Sequence, residues 1–171
     1  YYEQSVAGLA TPLRDWGLVH GDRVGILATN RPEWHIVDIA TMSAGLVSVP
    51  VYPSNAASQV CYVLAHSGAR VCFVENVDQL TKVLLRRSEL PALEHVVVID
   101  DVNGLDDGFI ASLDDLRASG TSSRESATGR FDELVKEVKP TDLATLVYTS
   151  GTTGPPKGTM ITHANVMATM R

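Results

Sequence analysis

Cysteine is scarce in this sequence: only Cys61 and Cys72 occur among 171 residues. They stand too far apart for a CxxC redox pair or a zinc signature, so both read as reduced core residues. There is no apolar run of membrane-spanning length and no N-terminal signal sequence. The expectation is a cytoplasmic chain, with peripheral association with a membrane surface left open. Positive charge is also in short supply, with 14 Lys and Arg against 20 Asp and Glu, a net charge of -6. No basic block exceeds the pair Arg86-Arg87, which argues against a nucleic-acid binder. The five histidines, His20, His35, His66, His95 and His163, show no metal-ligand spacing, and none carries a catalytic assignment. No internal repeat is evident.

What is present is a hydrophobic content of 44%, enough for a folded core in one domain or in part of a larger one. The chain starts at Tyr1 without an initiator methionine and stops at Arg171 inside a predicted helix, which reads as a fragment. Val6, Leu9, Ala10 and Leu13 recur at helical spacing, predicting an amphipathic helix kinked or ended near Pro12. Arg23 to Ala28 reads as a strand. Arg31-Pro32-Glu33 opens a helix that runs to about Ala44 and closes at Gly45. Leu46 to Tyr52 is a strand in which Pro50 suggests an edge position or a bulge. A helix over Ser54 to Ser67, ending at Gly68, leads to a strand over Arg70 to Glu75. Val77, Leu80, Val83 and Leu84 then mark a helix, and Val96 to Ile99 a strand.

Residues 100–130 are rich in Asp, Gly and Ser and read as a solvent-facing connection with one short helical stretch at Leu113 to Ala118. Their acid pairs, Asp100-Asp101, Asp106-Asp107 and Asp114-Asp115, lack calcium-loop spacing and read as solvated surface. Phe131 to Val138 reads as a short helix before the apolar strand Leu143 to Tyr148. This alternation predicts an α/β fold, a mostly parallel sheet flanked by helices on both faces, with ligands bound beyond the carboxyl ends of the strands.

The segment Tyr148 to Gly158, YTSGTTGPPKG, sits at such an end. Gly151 and Gly154 free the backbone to turn, and a turn of this kind presents amide hydrogens to anions. Thr149, Ser150, Thr152 and Thr153 add hydroxyl donors, and Lys157 adds a compact cation that can reach terminal phosphates. The segment is not a Walker A loop, because Pro156 stands where the second glycine belongs and Gly158 replaces the magnesium-binding hydroxyl. Pro155 and Pro156 donate no amide hydrogen and stiffen the far arm, which concentrates the expected phosphate contacts in Thr149 to Gly154. Thr162 can cap a helix opening at His163.

These eleven residues resemble the signature loop of the adenylate-forming superfamily: acyl-CoA synthetases, peptide-synthetase adenylation domains and luciferases. Upstream, GDRVGILATN, Glu33-Trp34 and AGLVSVPVYP are similar to the entry of acyl-CoA synthetases, most of all long-chain fatty-acid-CoA ligases. Trp34, Val37 and Ala44 read as packing residues in this match, and Glu33 as helix-end electrostatics. The resemblance implies the N-terminal, incomplete portion of a large AMP-binding domain over residues 1–171. It implies use of ATP, Mg2+ and coenzyme A, with a carboxylic acid, expected to be a fatty acid, as substrate; a homodimer of the parent is left open. By matching position, Thr149, Ser150, Gly151, Thr152, Thr153, Gly154 and Lys157 would contact the nucleotide, and Thr149 would also be a magnesium ligand. A surface lysine that merely orders the loop is the alternative for Lys157. No catalytic residue is expected in this stretch, and the fragment alone is expected to be inactive. Two other readings stay open: a non-catalytic α/β nucleotide- or protein-binding module, and an adenylation domain for an amino or aryl acid.

Overall fold

In the computed structural model, which describes residues 2–100, 107–119, 124–149 and 154–169, helices and strands alternate along the chain. The order is α1 (Tyr2–Asp15), β1 (Arg23–Leu27), α2 (Pro32–Ser43), β2 (Val47–Val51), α3 (Ala57–Ser67), β3 (Ala69–Val74) and α4 (Val77–Leu84). There follow β4 (His95–Val98), β5 (Ile110–Ser112), α5 (Leu113–Ser119), α6 (Arg124–Glu137), β6 (Leu143–Thr149), β7 (Lys157–Thr162) and α7 (His163–Ala168). The strands form one seven-stranded sheet in the order β5-β4-β3-β1-β2-β6-β7. All neighbours are parallel except β6 and β7.

The apolar strands are explained by burial on both faces. Successive side chains of a strand point to opposite sides, so each strand needs apolar residues at every position when both sides are covered. Val24, Ile26, Val71, Phe73 and Val97 pack in one layer with Leu9, Leu13, Val37, Leu116 and Phe131 from α1, α2, α5 and α6. Leu27, Cys72, Val74, Val96 and Val98 pack in the other with Val60, Leu64, Leu80 and Val83 from α3 and α4. Each such side chain withdrawn from water contributes about 1.5–3 kcal/mol before the entropy of ordering it is subtracted. Both cysteines are free and buried, and burial pushes the Cys72 thiol up to about 12, away from thiolate chemistry.

Helix α3 is seated firmly at its C-terminus. Gly68 adopts the left-handed conformation there (φ 65°). Arg23 of β1 donates from Nε to the Ser67 carbonyl at 2.6 Å and from Nη2 to the Gly68 carbonyl at 3.1 Å. A cation thus meets the unsatisfied carbonyls and the negative end of the helix dipole.

Four expectations from sequence change here. Helix α1 runs on to Asp15 with Pro12 inside it, and Trp16 N donates to the Pro12 carbonyl at 2.9 Å. Burial of Val6, Leu9, Ala10 and Leu13 outweighs the amide bond that proline forfeits. Strand β2 is interior rather than an edge strand, and its register with β1 runs unbroken through Ile26 and Pro50. Pro50 is tolerated because β2 pairs with β6 only at Ser48 and Thr145, so no second ladder reaches it.

Residues 107–119, placed by sequence in a solvent-facing connection, add β5 to the sheet and bury Phe109, Ile110, Leu113 and Leu116. The Asp107 carboxylate accepts the amides of Phe109 and Ile110 at 3.0 and 2.9 Å, turning the chain into β5. Those amide bonds hold its carboxyl below the usual carboxylate range. The remaining described acids also have partners: Asp100 meets Arg31, Asp114 meets Arg117, and Asp115 accepts the Ser112 hydroxyl. Asp101 and Asp106 lie outside the described residues. Finally, the segment from Lys157 to Thr162 is a strand, β7, which antiparallel pairing with β6 converts from loop to ladder.

Candidate functional site

Because β1, β2 and β6 are parallel, their carboxyl ends lie along one edge of the sheet, and the signature segment opens from that edge. Its two arms form a hairpin in which Tyr148 pairs with Gly158 and Thr149 with Lys157. Thr149 and Lys157 are both exposed. The hairpin thus brings a hydroxyl and a cation opposite one another at its last ladder pair. Gly154 has a positive φ of 104°, a backbone conformation that glycine adopts freely. Ser150, Gly151, Thr152 and Thr153 lie outside the described residues.

Gly158 has a packing reason of its own. A Cβ there would meet the Tyr148 ring at 3.2 Å from Cζ, so the glycine makes room for the tyrosine across the ladder. Tyr148 is buried and raised in pKa by that burial. Its hydroxyl lies 2.8 Å from His66 Nδ1, and the two rings meet edge to face with centroids 5.7 Å apart. One helical turn earlier, Tyr62 stacks on His66 at 5.4 Å and donates its hydroxyl to the Pro156 carbonyl at 3.0 Å. Sequence reasoning missed both α3 residues. The available signal was their i, i+4 spacing, which puts two polar-tipped rings on one helix face.

Beside Tyr148, a cavity of about 270 Å³ opens among the carboxyl ends of β1, β2 and β6, lined by Asn30, Trp34, Pro50, Tyr52 and Val147. Trp34, read from sequence as a packing residue, both packs against the core and faces this cavity. Further along the same edge, Arg31 bonds Asp100 at 2.7 Å and Glu33 at 2.8 Å. Glu75 accepts the Thr29 amide and hydroxyl at 2.9 and 2.7 Å. The Arg31 bond, with the backbone bond behind it, holds the Glu33 carboxyl below its usual range. These charges satisfy one another and fasten the loops after β1, β3 and β4.

At the opposite end of β6, Thr162 caps α7. Its hydroxyl accepts the Asn165 amide at 3.3 Å, while Asn165 Oδ1 accepts the Thr162 amide at 3.0 Å. Capping thus accounts for Thr162 without chemistry. A larger cavity of about 850 Å³ between α2, α6 and α7 belongs to this end and is far along the ladder from Thr149 and Lys157. His163 lines it, and burial depresses the imidazole pKa.

A family model described as AMP-binding enzyme matches residues 2–171. The chain belongs to the AMP-binding enzyme family. Among relatives, long chain acyl-CoA synthetase 6, peroxisomal, of Arabidopsis thaliana is 38% identical over 175 residues, covering 95% of this chain and 24% of that protein. The long-chain-fatty-acid–CoA ligase ACSBG2 of Xenopus laevis is 34% identical over 166 residues, covering 97% of this chain and 22% of its own length. The chain therefore spans about a quarter of the length of these relatives. A crystal structure of a long-chain-fatty-acid-CoA ligase from Archaeoglobus fulgidus superimposes with a TM-score of 0.75 at 24% identity, over 96% of this chain and 30% of that one. That likeness shows an AMP-binding fold. Among the described residues, no helix is long and apolar enough to cross a membrane.

Proposed function

We propose that this chain forms part of an AMP-forming acid-thiol ligase that activates a long-chain fatty acid as its acyl-adenylate and transfers it to coenzyme A. The observation that carries the reading is the hairpin that sets Thr149 opposite Lys157 at the carboxyl edge of the sheet. The names of the relatives, long-chain acyl-CoA synthetases and ligases, support the substrate class.

A carboxylate is a poor acyl donor because its oxygen leaves badly. In the proposed reaction its oxygen attacks the α-phosphate of ATP, the bond to the β-phosphate breaks, and pyrophosphate departs. The thiol of coenzyme A then attacks the acyl carbon and AMP leaves. Thr149, Ser150, Gly151, Thr152, Thr153, Gly154 and Lys157 are the proposed contacts to the β- and γ-phosphates. Donors fixed in advance where charge gathers on the leaving pyrophosphate are worth about 3 kcal/mol each.

Among the described residues, no three His, Cys, Asp or Glu side chains come together as a metal site. The Thr149 hydroxyl is a hard oxygen donor of the kind magnesium takes, and Thr149 is the residue of this chain that would help hold the ion. Bound there, the ion would neutralise phosphate charge.

The test is AMP release by the complete protein with a panel of fatty, aryl and amino acids. Fatty acids are expected to be preferred; preference for an amino acid overturns the assignment. Lys157→Ala should lower kcat/KM for ATP by about 10- to 100-fold with little change in the KM for the acid. Unchanged ATP dependence would return Lys157 to the role of a surface lysine. The 171-residue chain alone is expected to give no carboxylate-dependent ATP/pyrophosphate exchange. A cytoplasmic location belongs to this reading, and recovery of the protein in a peroxisomal fraction would overturn that part of it.

A further inference from the structure

We infer that Tyr62 and His66 of α3 are positioning residues that set the phosphate-facing arms of the β6–β7 hairpin, an inference that rests on the nucleotide role proposed for Thr149 and Lys157. The helix touches the hairpin at two points. On the outgoing arm, His66 Nδ1 bonds the Tyr148 hydroxyl at 2.8 Å, and Thr149 is the next residue. On the returning arm, the Tyr62 hydroxyl bonds the Pro156 carbonyl at 3.0 Å, and Lys157 is the next residue. Thr149 and Lys157, two of the proposed phosphate contacts, therefore each sit one residue from an anchor.

The anchors answer a need in the backbone. The ladder between β6 and β7 ends at the pair Thr149 and Lys157. Pro156 lies beyond it and has no amide hydrogen, so the backbone can be tied down there only through its carbonyl. Tyr62 supplies that tie. Tyr148 is held from three directions: by His66 at its hydroxyl, by the His66 ring edge to face, and by the space that Gly158 leaves against its ring.

The helix that carries both anchors is itself fixed. Val60, Val63 and Leu64 bury its opposite face in the core layer, and Arg23 fastens its C-terminus to β1. Tyr62 and His66 stack on one another at 5.4 Å, so each limits the rotamers of the other. A rigid helix thus transmits the position of the sheet to two exposed side chains that the ladder alone would leave loosely held. Preorganisation of this kind appears in the binding of the group held, here ATP, before it appears elsewhere.

The experiment compares wild type, Tyr62→Phe, His66→Leu and His66→Asn in the complete protein. Asparagine restores a polar atom near the position of Nδ1, while leucine does not. Tyr62→Phe and His66→Leu should each raise the KM for ATP about five- to tenfold, with the KM values for fatty acid and coenzyme A unchanged, and His66→Asn should recover most of the loss. Hydrogen exchange at the amides of Thr149, Lys157 and Thr159 should quicken in the same two variants and not in His66→Asn. Unchanged KM for ATP in an active wild-type background overturns the inference and leaves the ligase reading standing. If wild type releases no AMP with any acid, the ligase reading fails, and the exchange measurement alone decides whether α3 sets the hairpin. A fall in melting temperature with unchanged exchange at those amides would reduce both residues to fold stabilisers.

Discussion

The five parallel strands β5-β4-β3-β1-β2 and the antiparallel hairpin β6–β7 share one sheet but not one environment. In β1, β3 and β4, Val24, Ile26, Phe73, Val74 and Val97 are fully buried. In β6 only Ala144 and Tyr148 are buried, and Met160 of β7 is 68% exposed. The first region is held by packing on both faces, the second by its ladder and by two side chains reaching from α3. Packing on both faces makes a platform that cannot shift a side chain without loss. A half-covered hairpin can present side chains to a ligand at its tip.

The sharpest way to expose that difference is a large-to-small substitution in each region. Phe73→Ala, in the middle of β3, should lower unfolding free energy by about 3–5 kcal/mol in urea titrations, because it leaves a cavity that close-packed neighbours cannot fill. The same glycine substitution can then be placed in both. Gly25→Ala would put a Cβ 2.6 Å from Leu64 Cδ2 and 3.2 Å from Cys72 Sγ inside the core, and should cost about 1–3 kcal/mol. Gly158→Ala presses on the Tyr148 ring at the partly open hairpin and should cost about 1 kcal/mol. A larger loss at Gly158 than at Gly25 would break the comparison. Met160→Ser on the exposed face of β7 should change stability by less than about 0.5 kcal/mol.

The smallest effect concerns acid. Asp142, just ahead of β6, accepts the Lys139 amide at 2.7 Å and lies 3.0 Å from His20 Nε2. The amide bond, with His20 adding to it, lowers the carboxyl pKa. A depressed folded-state pKa stabilises above the unfolded value of 3.8 and is lost as pH falls through the folded one. Asp142→Asn should therefore lower stability slightly at neutral pH, where the carboxylate contributes, and flatten the acid limb below about pH 4, read by thermal melts across pH.

Much of the platform was legible in the chain because its signals are local. The apolar runs of β1, β3 and β4 and the periodicity of α4 come from nearest neighbours in sequence. Thr162 announced its cap, and the glycines after α2 and α3 their ends. Strand β5 was hidden because Ile110-Ala111-Ser112 is too short to carry a period, and only its pairing with β4 makes it a strand. Pro50 misled for a related reason: whether a proline disturbs a strand depends on which neighbour ladder reaches it, and that is a property of strand order.

At the candidate site the division is the same. The order of residues from Tyr148 to Gly158 pointed by itself to an anion-holding turn at the end of a strand on an α/β scaffold, because glycine, threonine, lysine and proline act through their own backbone freedom, hydroxyls and charge. The family came from the resemblance of that stretch to a known signature. Only the tertiary structure decided that Lys157 faces Thr149 across a ladder, and that α3 reaches Tyr148 and Pro156 with His66 and Tyr62. Those contacts join residues 82 and 94 positions apart, and no local pattern encodes a meeting made by the folding of the whole sheet.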